Sequence, residues 1–377
     1  MEWTDSQTTQ REAFDAFIKE HVLPHAGTWD REERMPSAAI QALAATGYLG
    51  ALVPREMGGA GFDALTFGLL NETLGRGCSS LRSLLTVHTM VIHAIDRWGT
   101  RTTRERWLPA FARGASLGAF GLTEPQAGSD PGAIETTAEE RGDTLILNGR
   151  KRWITFGEIA DVLLIFARCQ GAPCAVLVEA DRPGVSRTPI RGMLGTRASM
   201  LAEIDLVNCE VPRENLLARH GFGLSHVAQS ALDWGRYSVA WGSVGIAHAA
   251  LEASARYTEE RVQFGTKLRD HQLIRAMLTE MHVQTKAAAL LCWNAGRLKD
   301  QRHPSAILET SIAKYFAARA AMRAATDAVQ IHGASGCSAD QPVERLLRDA
   351  KIMEIIEGSN QLHQISLADY ASRTSPL

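Results

Sequence analysis

The chain has 377 residues, 45% of them hydrophobic and 22% charged, with a formal net charge of -2. This is the balance of a soluble globular protein long enough for two or three domains with large cores. The near-zero charge excludes an electrostatic case for nucleic acid or an anionic membrane as partner.

The chain opens on Met1, Glu2, Trp3 and Thr4 and continues into acidic and polar residues. It lacks the basic start and apolar core of a signal peptide, and no stretch approaches the length of an apolar membrane span, so a cytoplasmic protein is expected. Residues 1–118 read as a helical domain, rich in Ala, Leu, Arg and Glu and broken at Pro36, Gly47 and the run Gly58, Gly59, Ala60, Gly61. An apolar helical face recurs at Leu81, Leu84, Leu85 and Val91, beside the segment Cys78 to Ser83. Arg82 within it is either solvated at a helix edge or held inside to bind a carboxylate or similar anion.

Residues 119–223 turn to alternating and β-branched composition. Asp143 to Leu147 reads as a strand, Asn148-Gly149 as a two-residue hairpin turn and Arg150 to Thr155 as the returning strand. Val162 to Arg168, Cys174 to Glu179 and Glu203 to Val207 add short strands, which suits a small antiparallel barrel or sandwich. The unusual loop is Gly121-Leu122-Thr123-Glu124-Pro125-Gln126-Ala127-Gly128-Ser129-Asp130. Its small residues and the hydroxyls of Thr123 and Ser129 suit either an ordinary turn or a backbone lying against a planar or phosphorylated ligand. Trp153 and Thr155 on the neighbouring strand are either core or one wall of a flavin or nucleotide site.

Residues 224–377 return to a helical pattern of four long helices. Leu273, Ile274, Met277, Leu278 and Met281 make one apolar stripe, and Ile312, Tyr315, Phe316 and Met322 another. Gly235, Gly242, Gly265, Gly333, Gly336 and Gly358 punctuate the helices, Pro304 and Pro342 lie in connections, and the whole predicts a bundle. Near its end, Ile355 and Ile356 deliver Glu357 onto Gly358 and the polar segment Ser359, Asn360, Gln361. A glutamate flanked by isoleucines is expected at the end of a buried helix, where desolvation raises its pKa towards that of a general base, or else it pairs structurally. The six cysteines are scattered, with four residues between the closest pair, Cys169 and Cys174. That spacing fits no common zinc or redox motif, so reduced buried thiols and no metal are expected.

Taken in order, several motifs resemble those of the acyl-CoA dehydrogenase family over essentially the whole chain. Gly121 to Asp130 resembles its flavin-binding loop, Lys151 to Thr155 its tryptophan strand, and Glu260-Arg261-Val262-Gln263-Phe264-Gly265 its Arg-x-x-Phe-Gly turn. Gln330 to Gly336 is similar to its Gln-Ile-x-Gly-Gly-x-Gly segment, with Ala334 departing at the second glycine. Ile356-Glu357-Gly358-Ser359 resembles its base motif, with Ile356 in place of an aromatic residue.

The resemblance implies an α+β protein of acyl-CoA dehydrogenase fold: an N-terminal helical domain, a middle antiparallel β-barrel domain and a C-terminal four-helix bundle, with FAD wedged between the last two. By carry-over, Phe120, Leu122, Thr123, Gly128, Ser129, Trp153, Thr155, Ser359 and Gln361 would hold the flavin. Arg261, Phe264, Gln272, Gln330 and Gly333 would reach the FAD of a neighbouring subunit, so a homo-dimer or homo-tetramer is expected. Glu357 would be the base, with Arg82, Ser83, Ser129, Asp233, Arg236, Tyr237 and Gly358 around the acyl thioester; Asp233 and Arg236 are alternatively a structural ion pair.

Two subgroups are similar around Arg82 and Arg236 to Gly242: glutaryl-CoA dehydrogenases, and dehydrogenases of carrier-protein thioesters in hydroxymalonyl or methoxymalonyl extender-unit synthesis. The second is favoured by Ser238 to Gly245, by Asp349 to Ser359, and by Gly75 where glutaryl enzymes carry a glutamate. The expected substrate is a short polar acyl thioester of an acyl carrier protein or coenzyme A, such as a 2-hydroxy-3-oxoacyl group. An electron-transfer flavoprotein or oxygen is the expected electron acceptor. A flavin monooxygenase on the same fold and a non-catalytic helical scaffold are the readings from other classes.

Overall fold

The computed structural model describes residues 1–372, so the last five residues of the third block lie outside the described residues. Six helices come first: α1 (Asp5–His21), α2 (Ala26–Arg31), α3 (Ser37–Ala45), α4 (Ala64–Gly77), α5 (Ser79–Trp98) and α6 (Arg101–Ala112). Their starts are set by short polar side chains that satisfy orphan amides. Thr4 and Gln7 form a capping box on α1, and Asp63 and Thr100 cap α4 and α6. Leu81, Leu84, Leu85 and Val91 are all buried, and α5 packs against the helical bundle on one side and the sheet on the other.

The strands are β1 (Gly118–Gly121), β2 (Thr137–Arg141), β3 (Thr144–Ile154), β4 (Val162–Cys169), β5 (Ala172–Glu179), β6 (Val185–Pro189), β7 (Ala202–Pro212) and β8 (Leu216–Leu217). They form one sheet in the order β6-β7-β3-β2-β4-β5-β8, with β1 added parallel to β4 and a single parallel pair between β2 and β4. The other pairings are antiparallel. The expected hairpin at Asn148-Gly149 is a correction: β3 runs straight through it. Asn148 Oδ1 accepts the Asn208 amide at 2.7 Å, and a Cβ at residue 149 would fall 2.4 Å from Thr136 Oγ1. The dipeptide therefore marks a register shift against β7, while the real two-residue turn is Gly142-Asp143, with Gly142 at φ 61°.

A short π-helical turn, Gly223–Ala228, leads into α7 (Gln229–Glu260). The hairpin β9 (Val262–Gln263) and β10 (Thr266–Lys267) follows, then α8 (Gln272–Asp300), α9 (Ala306–His332), α10 (Pro342–Met353) and α11 (Asn360–Ala371). Gly235 and Gly242 do not interrupt this bundle; they lie inside α7. The stripe expected on α9 is also displaced: Ile312, Tyr315, Phe316 and Met322 are only half-buried, and the packed face is Ala313, Ala317, Ala321, Ala324 and Ala328. Small side chains there let α7 and α9 approach closely. On α8, Leu273 is 78% exposed, whereas Met281 is buried. Among the described residues, no helix is long and apolar enough to cross a membrane.

Candidate active site

Glu357 is carried by the connection between α10 and α11 rather than by the end of a buried helix. Helix α10 stops at Met353, Ile355 is exposed, and Glu357 and Gly358 take left-handed φ values of 57° and 89° in succession. That conformation costs a non-glycine residue about 1–3 kcal/mol and persists only where its surroundings impose it. The turn aims the carboxylate at α7, where a Cβ on Gly235 would fall 2.3 Å from Glu357 Oε2. Gly235 is thus the vacancy in the helix that admits the acid.

Oε2 is buried and has no hydrogen-bond partner. Burial pushes the carboxyl up to about 7, against the pull of Arg236, Lys314 and Arg82. The Arg236 Nε donates to the Glu357 carbonyl at 3.4 Å, and Lys314 Nζ donates to the Gly358 carbonyl at 2.6 Å. Neither Lys314 nor His363, which packs beneath Gly358, was read from the sequence. A lysine amid the alanines of α9 carries no local signal of where its ammonium ends.

Arg82 is 0% exposed, so it is not solvated at a helix edge. Its guanidinium donates to Thr86 Oγ1 at 2.8 Å, Ser83 Oγ at 3.1 Å and Ser238 Oγ at 3.4 Å, and its Nε has no partner. Ser238 in turn donates to Asn71 Oδ1. No carboxylate lies within ion-pair distance of this buried cation among the described residues, and burial pushes it down to about 10. A Cβ on Gly242 would fall 2.3 Å from Arg82 Cδ. Gly235 and Gly242 are two turns apart on one face of α7, so the helix makes room for the acid at one and for the Arg82 stem at the other, and the guanidinium reaches back along α7 to Ser238.

Two other expected substrate residues are placed elsewhere. Asp233 pairs with Lys299, whose ammonium also lies 4.8 Å from the Trp234 ring centroid. Tyr237 is fully buried, its hydroxyl donating to the Ala64 carbonyl at 2.9 Å. The structural ion pair is therefore real for Asp233, but its partner is Lys299 and not Arg236; neither Asp233 nor Tyr237 hydrogen-bonds Glu357.

On the sheet side, the loop after β1 is built around a buried ion pair that the sequence reading also missed. Lys151 Nζ donates to Glu124 Oε1 at 2.6 Å, and the same carboxylate accepts the amides of Glu135 and Thr136 at 2.7 and 3.1 Å. Glu124 and Ala127 close the turn on each other through their backbones. Lys151 lies on the inward side of β3 between two outward arginines, a parity signal that the resemblance to a tryptophan strand overshadowed. Trp153 is not core: it is 44% exposed with φ 62°, and the Arg152 guanidinium sits 4.7 Å from its ring centroid.

Phe120, Leu122, Thr123 and Thr155 are half-buried beside it, Ser129 is exposed, and a Cβ on Gly128 would meet nothing within 4 Å. An open wall of one indole, hydroxyls and a glycine fits a planar aromatic ring system such as a flavin. At the Glu357 end, Ser359 caps α11 through the Leu362 amide and Gln361 is exposed in its first turn.

The remaining predicted cofactor residues lie at the far end of α7, about 39 Å from Gly235 along the helix. Arg261, Gln272, Gln330 and Gly333 are exposed there, and Phe264 is 97% exposed with φ 52°. Tyr257 stacks on His332 at 4.2 Å and ties this end of α7 to the end of α9.

Comparison with known proteins matches three family descriptions in order: acyl-CoA dehydrogenase, N-terminal domain, over residues 4–115; middle domain, over 119–209; and C-terminal domain, over 221–371. The mitochondrial short-chain specific acyl-CoA dehydrogenase of Rattus norvegicus is 34% identical over 380 residues, covering 99% of this chain and 92% of that protein. Among solved structures, a glutaryl-coenzyme A dehydrogenase in its glutaryl-CoA complex superposes with a TM-score of 0.94 at 33% identity, covering 99% and 97% of the two chains. FkbI, for biosynthesis of the methoxymalonyl extender unit of a polyketide immunosuppressant, superposes with a TM-score of 0.89 at 34% identity, covering 97% and 100%.

Proposed function

The chain belongs to the acyl-CoA dehydrogenase family, FAD-dependent enzymes that oxidise acyl thioesters, and from that premise we propose that Glu357 is its base and Arg82 the anchor of a short, anionic or strongly polar acyl group. FAD supplies the hydride acceptor when bound, and Phe120, Leu122, Thr123, Gly128, Ser129, Trp153 and Thr155 are the residues that would hold it, with Ser359 and Gln361 from the Glu357 side. Glu357 takes the proton. Its carboxyl, held near 7 by burial, has an oxygen free of partners and so is ready to accept one at physiological pH.

The single observation that carries the substrate class is Arg82, a fully buried guanidinium with no carboxylate within ion-pair distance among the described residues. A fatty acyl tail would leave that charge uncompensated at a cost of several kcal/mol, whereas a carboxylate or hydrated aldehyde neutralises or hydrogen-bonds it. A Cβ at residue 75 would fall 2.5 Å from the Gly242 carbonyl, so no acidic side chain fits there to occupy Arg82 instead.

We favour a carrier-protein-tethered 2-hydroxy-3-oxoacyl group, its aldehyde oxidised through the hydrate with Glu357 accepting the hydroxyl proton; the likeness to FkbI supports this. The glutaryl-CoA complex supports a second reading, α,β-dehydrogenation of a dicarboxylic acyl-CoA. Anaerobic incubation of the yellow enzyme with matched coenzyme A and carrier-protein thioesters decides between them. Flavin bleaching only with a long-chain acyl-CoA rejects both. The exposed Phe264 and Leu273, beside Arg261 and Gln330, support a second copy of this chain seated over the far end of α7, which makes the enzyme a homo-oligomer.

A further inference from the structure

The turn that bears Glu357 is strained, and the structure shows what imposes the strain. Two cations from different helices hold two successive carbonyls, Arg236 from α7 on residue 357 and Lys314 from α9 on residue 358. The grips are unequal. The arginine is at 3.4 Å and half-buried, whereas Lys314 is 0% exposed and its Nζ lies 2.6 Å from the Gly358 oxygen. Among the described residues no carboxylate lies within ion-pair distance of Lys314, and the hydrogen bond of this buried ammonium goes to one backbone carbonyl. Such a group is costly unless it has a use, because its desolvation is only partly offset by a neutral acceptor.

We propose that Lys314 is a positioning residue for the base: it fixes the 357–358 turn through the Gly358 carbonyl, and its charge favours the carboxylate of Glu357 against the opposing effect of burial. This deepens the reading of Glu357 as the base and rests on it. The charged or titratable groups that face the acid are Arg82 from α5, Arg236 from α7, Lys314 from α9 and His363 from α11, while Asp349 of α10 acts on Arg82 and Glu354 of the connection on Lys314. His363 packs against Gly358 with Nε2 unpartnered and is held near 4, hence neutral, so it adds no charge at neutral pH. Arg82 is committed to the acyl group and Arg236 grips loosely. Of the two cations that hold the turn's carbonyls, the ammonium makes the shorter and more buried contact.

The test compares Lys314→Gln, which keeps a donor for the carbonyl but removes the charge, with Lys314→Arg, which keeps the charge but changes the grip. Both are purified with FAD, their flavin content and melting curves are measured, and the anaerobic bleaching rate is followed against pH with the thioester that bleaches the native enzyme. Lys314→Gln is expected to move the midpoint of the rate upward by about one pH unit. Its rate at pH 7 falls correspondingly, with thioester affinity little changed. Lys314→Arg is expected to keep the native midpoint while bleaching more slowly. A folded, flavin-loaded Lys314→Gln with the native midpoint and rate overturns the proposal and leaves Glu357 untouched. Should Lys314→Gln fail to fold, Lys314→Arg carries the test: a slowed rate at the native midpoint supports the role, and native behaviour in both overturns it. A native enzyme that no thioester bleaches defeats the underlying reading instead.

Discussion

Two of the places where the protein buries charge treat it in opposite ways. In the sheet, Lys151 and Glu124 are matched at 2.6 Å, and the carboxylate is further bonded by Thr136, by the Glu135 amide and by Gln126. In the helical half, Arg82 faces only hydroxyls and a thioether, and Glu357 keeps an oxygen with no donor at all. A satisfied pair rigidifies a loop; a buried acid with an unpartnered oxygen and a buried cation with no direct ion pair are what the proposed roles of base and anchor require. Satisfaction, more than burial, separates scaffold from site here.

The sharpest way to break that contrast is Glu357→Gln. The amide fills the same space beside Gly235 but cannot take a proton, so anaerobic bleaching is expected to fall by at least about a hundredfold while the protein stays yellow. Unchanged bleaching would move the base elsewhere. The scaffold side is probed by Lys151→Met, which strands Glu124 in a buried position. That is expected to cost about 3–5 kcal/mol in denaturant unfolding and to lower flavin retention with it. A loss under about 1 kcal/mol would mean the pair is no more than a surface ion pair in effect.

Arg82→Met sharpens the comparison from the other side. With no carboxylate in a direct ion pair with Arg82 among the described residues, it should leave the unfolding midpoint near the native value, while KM for the polar acyl thioester rises about tenfold or more. A destabilisation like that of Lys151→Met, with KM unmoved, would make Arg82 a structural residue.

Much of the architecture was legible because it is written in period and composition: the helical, strand-rich and helical blocks follow from where the alternation changes. The errors share a physical cause, which is that close approach between distant segments leaves no local mark. Gly235 and Gly242 read as helix breaks, because a glycine that admits Glu357 or Arg82 looks the same in sequence as one that ends a helix. Asn148-Gly149 read as a turn for the same reason; its glycine answers to Thr136 on another segment. The alanine face of α9 was passed over in favour of larger apolar residues, although small ones are what a tight helix pair requires. Glu357 itself was found by motif, yet its setting was misjudged: isoleucines beside it suggested a buried helix end, and the chain instead uses a strained turn to turn the acid inward.

The smallest expected effect lies in the pH dependence of stability. Glu357 titrates near 7 in the folded protein, above its ordinary value of 4.5, because burial disfavours the charge. A raised folded-state pKa means the protonated acid fits the native structure better than the carboxylate does. Its contribution is fully present below about pH 4.5 and is lost as pH rises through about 7. Lys151 and Glu124 work the other way at the acid end: Glu124 is lowered by its amide donors and by Lys151, so its contribution is present above the ordinary carboxylate range and lost as pH falls. Unfolding midpoints of the native enzyme and Glu357→Gln, followed from pH 5 to 9, should therefore draw apart as pH rises to about 7 and keep a constant offset above it. The variant should be relatively the more stable there, because it no longer carries a buried charge without a partner. Parallel curves across that range would place Glu357 in water-like surroundings and remove the electrostatic ground for treating it as a tuned base.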